Sequence, residues 1–376
     1  MDGLLAQVQG MLPRGREIAR CKKCELAQLV MEKGQRCEDG KHHSWQTAFD
    51  EDWPTNINSP EQVAAALESL GIHGLRSTDA DTLRLVRDRH PAIPLLLEYK
   101  GRHKELSTYI EPWAELAEAG QLLGAVWRPT GAWTGRVSSA YPNLQNVPKT
   151  LERFFLAPEQ GDELLTFDNA QLEVRIAAHI SQDPALLDAC RSSDIHAEMM
   201  ELFGFEDRRA AKVGLFGTMY LGGPAVVLDQ ARKFGVEMTW LEAEAMQAVI
   251  YQRLPDYFCW ARGLAEERVI EGLFGRIHHI PLGGDDHMAR EVVNSPIQGG
   301  AGDVPKYQML ALWRAGYKVV RQVHDSVTVA VPASASAEAK KDIPAIMERA
   351  APPLDVPIKV ELQPDPRARA RAYNEQ

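Results

Sequence analysis

An α+β fold is predicted for this chain, because helical segments are interleaved with a few strands. Apolar residues recur with helical periodicity along much of the sequence, notably from about residue 185 to 275. Two shorter segments, LLTFD and SVTVAVP, are instead rich in β-forming residues. No internal repeat or long low-complexity tract interrupts the pattern, so we expect a globular protein.

The first well-marked helix is predicted in SPEQVAAALESLGI. Ser59 is placed to cap it, Pro60 suits its first turn and Gly71 can end it. A second helix is predicted from about Pro94 to Tyr109. Turn-forming residues then cluster in RPTGAWTGR and YPNLQNVP, and these segments predict loops.

Residues 163–168 predict a buried strand that ends on Asp168. A helix should follow directly, because Leu172, Ile176 and Ile180 fall on one face of a helix. The whole span from about residue 185 to 275 is then predicted to be helical.

A second strand is predicted by the alternation of Val327, Val329 and Val331. His324 and Asp325 come just before it, so we place them at the bend of a hairpin that begins near residue 316. The segment PIKVEL near the C-terminus predicts one further strand.

Composition limits the location and partners of the protein. Its 376 residues are enough for about two or three subdomains. It shows no apolar run of about 18 residues and no secretory signal, so we expect no membrane span and a cytoplasmic location. The net charge of −10 argues mildly against nucleic-acid binding, although binding depends on local charge rather than the sum.

Two aspartates stand at the end or the turn of a predicted strand, Asp168 and Asp325. Carboxylates that meet on one face of a sheet could hold Mg²⁺, which prefers hard oxygen ligands together with substrate phosphates. The alternative is that each aspartate is only a turn or capping residue.

The segment RRAAKVGLFGTMY predicts a helix with Arg208, Lys212, Phe216 and Tyr220 along one stripe. Cations on such a stripe suit a triphosphate, and aromatic rings suit stacking on a base or sugar. The alternative is an amphipathic helix with buried aromatic residues and solvated cations. Two glycines at 214 and 217 weaken that alternative, because a glycine inside a helix indicates close packing against the backbone.

Taken together, these segments resemble the polymerase portion of the DNA polymerase I family (family A). The family patterns TGRLSS…PNLQNIP, DYSQIELR, PIQGTAAD and HDE have counterparts in the same order. The matching segments are NINSPEQVAAALESLGI, LEYKGRHKELSTY, TGRVSSAYPNLQNVP, FDNAQLEVRIAAHIS, DIHAEM, RRAAKVGLFGTMY, REVVNSPIQGGAGDVPK and VHDSV.

This resemblance implies a right-hand polymerase fold with an antiparallel-sheet palm, helical fingers and a reduced thumb. The implied domains are a Cys/His-containing extension (1–57), a truncated thumb with lead-in helices (58–125), the first part of the palm (126–185), the fingers (186–285) and the second part of the palm (286–376).

The resemblance also implies roles for single residues. Asp168 and Asp325 would be the catalytic residues and would hold two Mg²⁺ ions, which Mn²⁺ could replace. The nucleotide-binding residues would be Gln171, Glu173, His196, Arg208, Lys212, Phe216 and Tyr220.

Within that set, Phe216 would lie against the incoming sugar and Tyr220 near the template base. Glu173 would crowd the ribose 2′ position and exclude ribonucleotides. The residues expected to contact DNA are Arg136, Gln145, Asn294, Gln298 and His324. Donors such as Arg136 and Gln298 can check minor-groove acceptors without reading sequence.

The chain departs from the family pattern at several motif positions. Asn169 and Ala170 replace the usual Tyr and Ser, Leu215 replaces Asn, Leu221 replaces Gly, and Ser326 replaces the acidic residue of HDE. The loss at position 326 removes an auxiliary carboxylate but leaves both principal aspartates, so we predict an active enzyme.

The implied function is template-directed, DNA-dependent addition of dNTPs to a primer 3′ end. Primer–template DNA and dNTPs would be its partners, and the protein would be a monomer in a bacterial or phage-infected cell. Processivity or replication factors are left open. Only 57 residues precede Asn58, so no proofreading or 5′ nuclease domain is expected. Alternatives are a gap-filling, lesion-bypass or RNA-templated polymerase, a non-catalytic DNA-binding relative, and an RNA polymerase, which Glu173 disfavours.

The N-terminal cysteines form a pattern that the resemblance does not explain. Cys21, Cys24, Cys37 and His42 have the spacing CxxC-x12-C-x4-H, and thiolates with a histidine suit a structural Zn²⁺ site. The alternative is a reduced, unliganded cysteine pair.

Overall fold

A computed structural model describes residues 1–12, 16–21, 27–28, 45–50, 55–192, 194–280, 286–351 and 354–367. The chain divides into two compact units, Met1–Leu123 and Gly124–Gln376. Within the described ranges, no helix combines the length and the apolar character that a bilayer crossing requires.

The first unit contains a small antiparallel sheet and a set of helices. The three strands of the sheet are Ala27–Gln28, Arg16–Cys21 and Trp45–Asp50, in this spatial order. In chain order, the elements are α1 (Asp2–Met11), β1 (Arg16–Cys21), β2 (Ala27–Gln28), β3 (Trp45–Asp50), α2 (Pro60–Ser69), α3 (Ala80–Leu85), α4 (Ala92–Glu105) and α5 (Glu111–Glu118).

Both helices predicted for this unit are confirmed. The Ser59 hydroxyl accepts a hydrogen bond from the Gln62 amide at 3.4 Å, so Ser59 caps α2. Gly71 has a φ of +84° just beyond its end, a conformation that favours glycine. Helix α4 continues through a π-helical turn, Leu106–Ile110, so the second prediction is confirmed but the helical segment is longer than expected.

The second unit consists of a four-stranded sheet, two small hairpin-like pairs and nine helices among the described residues. In chain order, its elements are β4 (Val126–Arg128), β5 (Ser138–Ala140), β6 (Asp162–Asn169), α6 (Leu172–Ser181), α7 (Pro184–Arg191), α8 (Ile195–Phe203), α9 (Arg208–Met219), α10 (Pro224–Lys233), α11 (Trp240–Arg253), α12 (Pro255–Ala265), β7 (Val269–Glu271), β8 (Ile277–His279), α13 (Asp286–Arg314), β9 (Lys318–Val323), β10 (Ser326–Pro332), α14 (Ser336–Ala350) and β11 (Val360–Leu362).

The four-stranded sheet has the order β11-β6-β10-β9, and all its pairs are antiparallel. Strands β9 and β10 form the predicted hairpin, and residues 324–325 are the two residues of its bend. The predicted strands at 163–168 and in PIKVEL are confirmed as β6 and β11.

Strand alternation separates an apolar face of this sheet from a polar one. Leu165 and Phe167 of β6 and Val329 of β10 belong to a buried cluster with residues of α13 and α14. Thr166 and Thr328 lie on the opposite face, where their hydroxyls hydrogen-bond at 2.9 Å. Asp168 shares the parity of Thr166, so it too lies on the polar face.

The prediction that residues 185–275 are wholly helical is wrong at its end. Helix α12 ends at Ala265, and β7 and β8 then pair as a short hairpin. The β-branched Val269 and Ile270 favour a strand, and Ile270 is buried. The Gly272 amide donates to the Arg276 carbonyl at 2.7 Å and closes the turn.

Candidate active site

The two aspartates singled out from the sequence lie close together at one end of the β6–β10 pair. Asp168 is directly opposite Ser326, and Asp325 immediately precedes Ser326. Burial raises the pKa of Asp168 to about 7, and the negative charges of Asp325 and Glu361 add to this rise. Burial also raises the pKa of Asp325. The structure therefore brings two partly desolvated carboxylates into electrostatic contact.

These carboxylates fit a divalent cation. No group of three or more His, Cys, Asp or Glu side chains placed to hold a metal occurs in the part of the chain that the structure describes. A pair of aspartates matches the one or two carboxylates that Mg²⁺ usually takes from a protein, with phosphates and water completing its shell. A cation would also relieve the repulsion between the two desolvated charges.

The bend that carries Asp325 is held by side chains of neighbouring strands. The Asp325 carbonyl accepts hydrogen bonds from the Asn169 backbone amide at 3.3 Å and from Asn169 Nδ2 at 2.6 Å. The Gln322 side-chain amide donates to the His324 carbonyl. The Ser326 hydroxyl donates to the Val323 carbonyl at 2.9 Å, so it stabilises the turn. The bend is thus fixed before any substrate arrives.

Helix α9 carries three of the four residues of the predicted stripe, and Tyr220 is its C-terminal cap residue. The close packing indicated by the two glycines is confirmed. A Cβ on Gly214 would lie 2.6 Å from Met246 Sδ of α11. A Cβ on Gly217 would lie 2.9 Å from Val227 Cα of α10.

The cations at the start of α9 already have partners. The guanidinium of Arg208 pairs with Asp194 at 3.0 Å. The Lys212 ammonium lies 5.0 Å from the centre of the Phe234 ring, a cation–π contact. An incoming anion would therefore have to displace Asp194 from Arg208 and Phe234 from Lys212.

His196 lies beside these cations on α8. Burial, followed by the charges of Arg208 and Lys212, lowers its pKa to about 4. Its ring is 6.4 Å from that of Phe216, centre to centre. Its Nδ1 atom is buried and has no hydrogen-bond partner among the described residues. A neutral imidazole is therefore held next to a cationic surface.

Glu173, in the first turn of α6, joins two predicted site residues. One carboxylate oxygen pairs with the Arg136 guanidinium, and the other accepts a hydrogen bond from the Tyr220 phenol at 2.6 Å. Burial and the Glu173 charge raise the pKa of Tyr220, so the phenol stays protonated and donates. Gln171, just before α6, has a φ of 47°. Glu173 thus ties the loop of Arg136 to the end of α9.

The remaining residues predicted to contact DNA lie in different settings. His324 is exposed in the bend, and Gln298 is half-buried on α13. Asn294 Oδ1 is buried on the same helix without a hydrogen-bond partner among the described residues. Gln145 Nε2 donates to the Val137 carbonyl at 3.1 Å and to Gln322 Oε1 at 3.0 Å. The Gln145 side chain therefore braces the loop against the sheet.

An ion-pair network beside Arg136 was not foreseen from the sequence. Asp303 of α13 accepts from Arg276 at 2.7 Å and from Lys306 at 2.8 Å. The Lys306 ammonium also donates to the Gly135 carbonyl at 2.6 Å. This network fixes the loop that presents Arg136.

Other residues near the carboxylates were also missed. Glu361 of β11 lies directly opposite Asp168. The charge of Lys149 counteracts the raised pKa of Asp168. Gln308 of α13 hydrogen-bonds Asn169. The strand PIKVEL was visible in the sequence, but its pairing partner was not.

The predicted Zn²⁺ ligands cannot be placed. Cys24, Cys37 and His42 lie outside the described residues, and Cys21 is described only as part of β1. The zinc site stays a prediction.

Known proteins are similar to this chain in sequence and in architecture. A sequence model of the family described as "DNA polymerase family A" matches residues 24–366. The chain is 35% identical over 349 residues to a thermostable DNA polymerase I of Thermus filiformis, covering 82% of this chain and 41% of that protein. It is 31% identical over 333 residues to DNA polymerase I of Helicobacter pylori, covering 81% of this chain and 37% of that protein. The chain thus spans about two fifths of the length of these relatives.

A solved structure is similar as well. It is the POL domain of Pol1 from M. smegmatis in complex with DNA primer-template and dNTP. The TM-score is 0.71 at 25% sequence identity, with 82% of this chain and 60% of that chain covered.

Proposed function

This chain belongs to DNA polymerase family A, and we propose that it catalyses template-directed addition of dNTPs to the 3′ end of a DNA primer. Its right-hand polymerase fold, with an antiparallel-sheet palm and helical fingers, is confirmed. The division into thumb, fingers and palm segments at the predicted boundaries stays part of the proposal.

The observation that carries the proposal is the pairing of Asp168 and Asp325 at the end of the β6–β10 pair. Two desolvated carboxylates would hold two Mg²⁺ ions, with further ligands from the substrate. When bound, the ions supply activation of the primer hydroxyl and neutralisation of the charge that develops on the phosphates. Two ionised carboxylates so close together repel each other, and bound cations would offset that repulsion.

The cationic end of α9 is the proposed site of the triphosphate. Arg208 would exchange Asp194 for phosphate oxygens, and Lys212 would leave the ring of Phe234. His196 would donate a hydrogen bond as a neutral imidazole, since its lowered pKa keeps it uncharged at neutral pH. Gln171 would complete the grip on the phosphates.

The sugar and base would meet the far end of α9 and the start of α6. Phe216 would lie against the deoxyribose and Tyr220 near the template base. Glu173 is already held in place from both sides by Arg136 and Tyr220, so it offers a fixed steric boundary at the 2′ position. A fixed carboxylate discriminates better than a mobile one.

Primer–template DNA is the proposed macromolecular partner. Arg136, Asn294, Gln298 and His324 would contact the nascent pair and the primer terminus, with Gln145 holding the Arg136 loop. The buried, unpaired Asn294 Oδ1 is an atom for which DNA or an ordered water could supply a donor.

Primer extension by the purified protein tests this function. With Mg²⁺ and a DNA template, the parent should extend the primer, and Asp325→Asn should slow extension by about a hundredfold or more. Cys259→Ser changes an exposed side chain of α12 and serves as the control. Equal extension by the parent and Asp325→Asn would refute the proposal. RNA templates, in the same assay, test the template preference, and mismatched primer ends test whether the protein excises a mismatch.

A further inference from the structure

A buried pair of side-chain amides joins the two aspartate-bearing elements to the helices behind them. Asn169 Nδ2 donates to Gln308 Oε1 at 2.8 Å, and Gln308 Nε2 donates back to Asn169 Oδ1 at 2.7 Å. Asn169 is the last residue of β6, and Gln308 lies on α13. Their relative exposures are 1% and 0%, so water does not compete for these bonds.

Each amide hydrogen of this pair has an acceptor. Asn169 Nδ2 also donates to the Asp325 carbonyl at 2.6 Å, and Gln308 Nε2 to the Met347 carbonyl of α14 at 3.2 Å. A fully satisfied buried network is rigid, because moving any member leaves a desolvated polar group unpaired. The Asn169–Gln308 pair therefore fixes β6, the bend, α13 and α14 relative to one another.

The network bears directly on the carboxylates. Asn169 follows Asp168 in the chain, and it bonds the carbonyl of Asp325 through both its backbone and its side-chain amide. Asp168 lies opposite Ser326, the residue after Asp325, so the geometry of the bend sets the spacing of the two carboxylates. Bonds from Asn169 fix the bend, and Gln308 holds Asn169 in the required orientation.

The sequence supports a specific role for this pair. Asn169 stands where family motifs usually have a tyrosine. A primary amide supplies two donors and one acceptor, whereas a phenol has a single donor, so a tyrosine could not form the same set of bonds. Ser326, in place of the usual acidic residue, bonds its own turn and gives the bend no carboxylate.

We propose that the Asn169–Gln308 amide pair is a positioning unit that holds the Asp168 and Asp325 carboxylates at the separation at which they bind divalent cations. The inference rests on the proposed function only for the identity of the carboxylates as the metal site. Both amides are buried, and they act through the backbone of the bend rather than by direct coordination.

The test is Mn²⁺ binding to the 376-residue chain, measured by the electron paramagnetic resonance signal of free Mn²⁺. Asn169→Leu combined with Gln308→Met removes both amides while keeping approximate volume, a replacement that can be nearly neutral for stability. The double variant should need about five- to thirtyfold more Mn²⁺ for half-saturation. Gln247→Met removes another buried amide, one that bonds the Gly222 carbonyl, and should leave Mn²⁺ binding unchanged.

Primer extension is measured in parallel. At a fixed Mg²⁺ concentration, the double variant should have a lower kcat than the parent. Part of the lost kcat should return at high Mg²⁺, and the KM for dNTP should be unchanged. A merely structural role would change stability without moving the Mg²⁺ requirement. If the double variant were half-saturated at the same Mn²⁺ concentration as the parent, the inference would be overturned.

A single variant and a comparison of Mn²⁺ binding with primer extension distinguish the possible outcomes. If the double variant does not fold, Gln308→Met alone leaves Asn169 in place but unsupported. It should weaken Mn²⁺ binding in the same direction, and unchanged binding would again contradict the inference. If the parent binds Mn²⁺ through Asp325 but extends no primer, the proposed function fails, and the Mn²⁺ titration still decides on the amide pair.

Discussion

The Tyr220 phenol donates a 2.6 Å hydrogen bond to Glu173, whose other carboxylate oxygen pairs with Arg136. One carboxylate thus links the C-terminal cap of α9, the start of α6 and the loop before β5. This link restrains the side chain of Glu173, the residue proposed to exclude ribonucleotides, from two sides. The position of the Glu173 side chain is set by two neighbours rather than by its own rotamer preference.

Replacing Glu173 with alanine should admit ribonucleotides. The variant removes the steric boundary, and we expect the preference for dNTPs over NTPs to fall by about 10–200-fold, the range for small steric differences. Single-nucleotide incorporation kinetics with paired dNTP and NTP measure this ratio. Glu173→Gln keeps the size and the bond from Tyr220, so it should stay selective. Unchanged selectivity in Glu173→Ala would remove the assigned role.

His196 should make the protein sensitive to acid. Its folded pKa is lowered to about 4, first by burial and then by Arg208 and Lys212, whereas the unfolded chain titrates near pH 6.5. Between these values the unfolded state binds more protons, so the free energy of unfolding falls as pH drops from about 6.5 to about 4.

His196→Gln should remove that contribution. We expect the parent to lose about 1–3 kcal/mol more than the variant between pH 7 and pH 4, measured by urea unfolding. His279→Gln alters an exposed imidazole and should follow the parent. Identical pH profiles for the parent and His196→Gln would show that the buried imidazole does not behave in this way.

Phe234 should compete with the nucleotide for Lys212. Its ring lies 5.0 Å from the ammonium, and exposed cation–π contacts contribute about 0.5–1 kcal/mol. Phe234→Leu removes the ring and keeps an apolar side chain, so we expect the KM for dNTP to fall by about two- to fivefold. Steady-state incorporation at varied dNTP concentration gives the value. An unchanged or higher KM would mean that the contact does not restrain Lys212.

The two glycines of α9 should differ in their tolerance of alanine. A Cβ at Gly217 would meet the backbone of α10, 2.9 Å from Val227 Cα, so Gly217→Ala should destabilise by about 1–3 kcal/mol. A Cβ at Gly214 would meet the flexible Met246 side chain, and alanine gains about 1 kcal/mol of helix propensity. Gly214→Ala should therefore cost less in urea unfolding. The reverse order would contradict the packing described for these helices.

Much of the fold could be predicted because local patterns determine it. The β9–β10 hairpin was visible since Val327, Val329 and Val331 alternate and a polar pair precedes them. The capped helix α2 was visible because Ser59, Pro60 and Gly71 mark its ends. The β7–β8 hairpin was missed because strands of three residues carry too little periodicity to interrupt a helical pattern.

The site could be predicted only in part. The two aspartates and the stripe of α9 could be identified from the sequence, because they stand in segments with recognisable patterns. The partners of those residues depend on tertiary contacts between distant segments. Glu361 lies 193 residues beyond Asp168, its partner on β6 (361 − 168), and Gln308 lies 139 residues beyond Asn169, the side chain that it bonds. No local pattern marks either residue as a neighbour of its partner. Residues that position a site are therefore harder to foresee than residues that perform its chemistry.

A crystal structure of the protein with primer–template DNA, a non-hydrolysable dNTP analogue and Mn²⁺, recorded at the manganese absorption edge, would locate the metal centre. We predict anomalous density bonded to carboxylate oxygens of both Asp168 and Asp325, and its loss in Asp325→Asn. Anomalous density that touches neither aspartate, or that is unchanged in Asp325→Asn, would contradict the account.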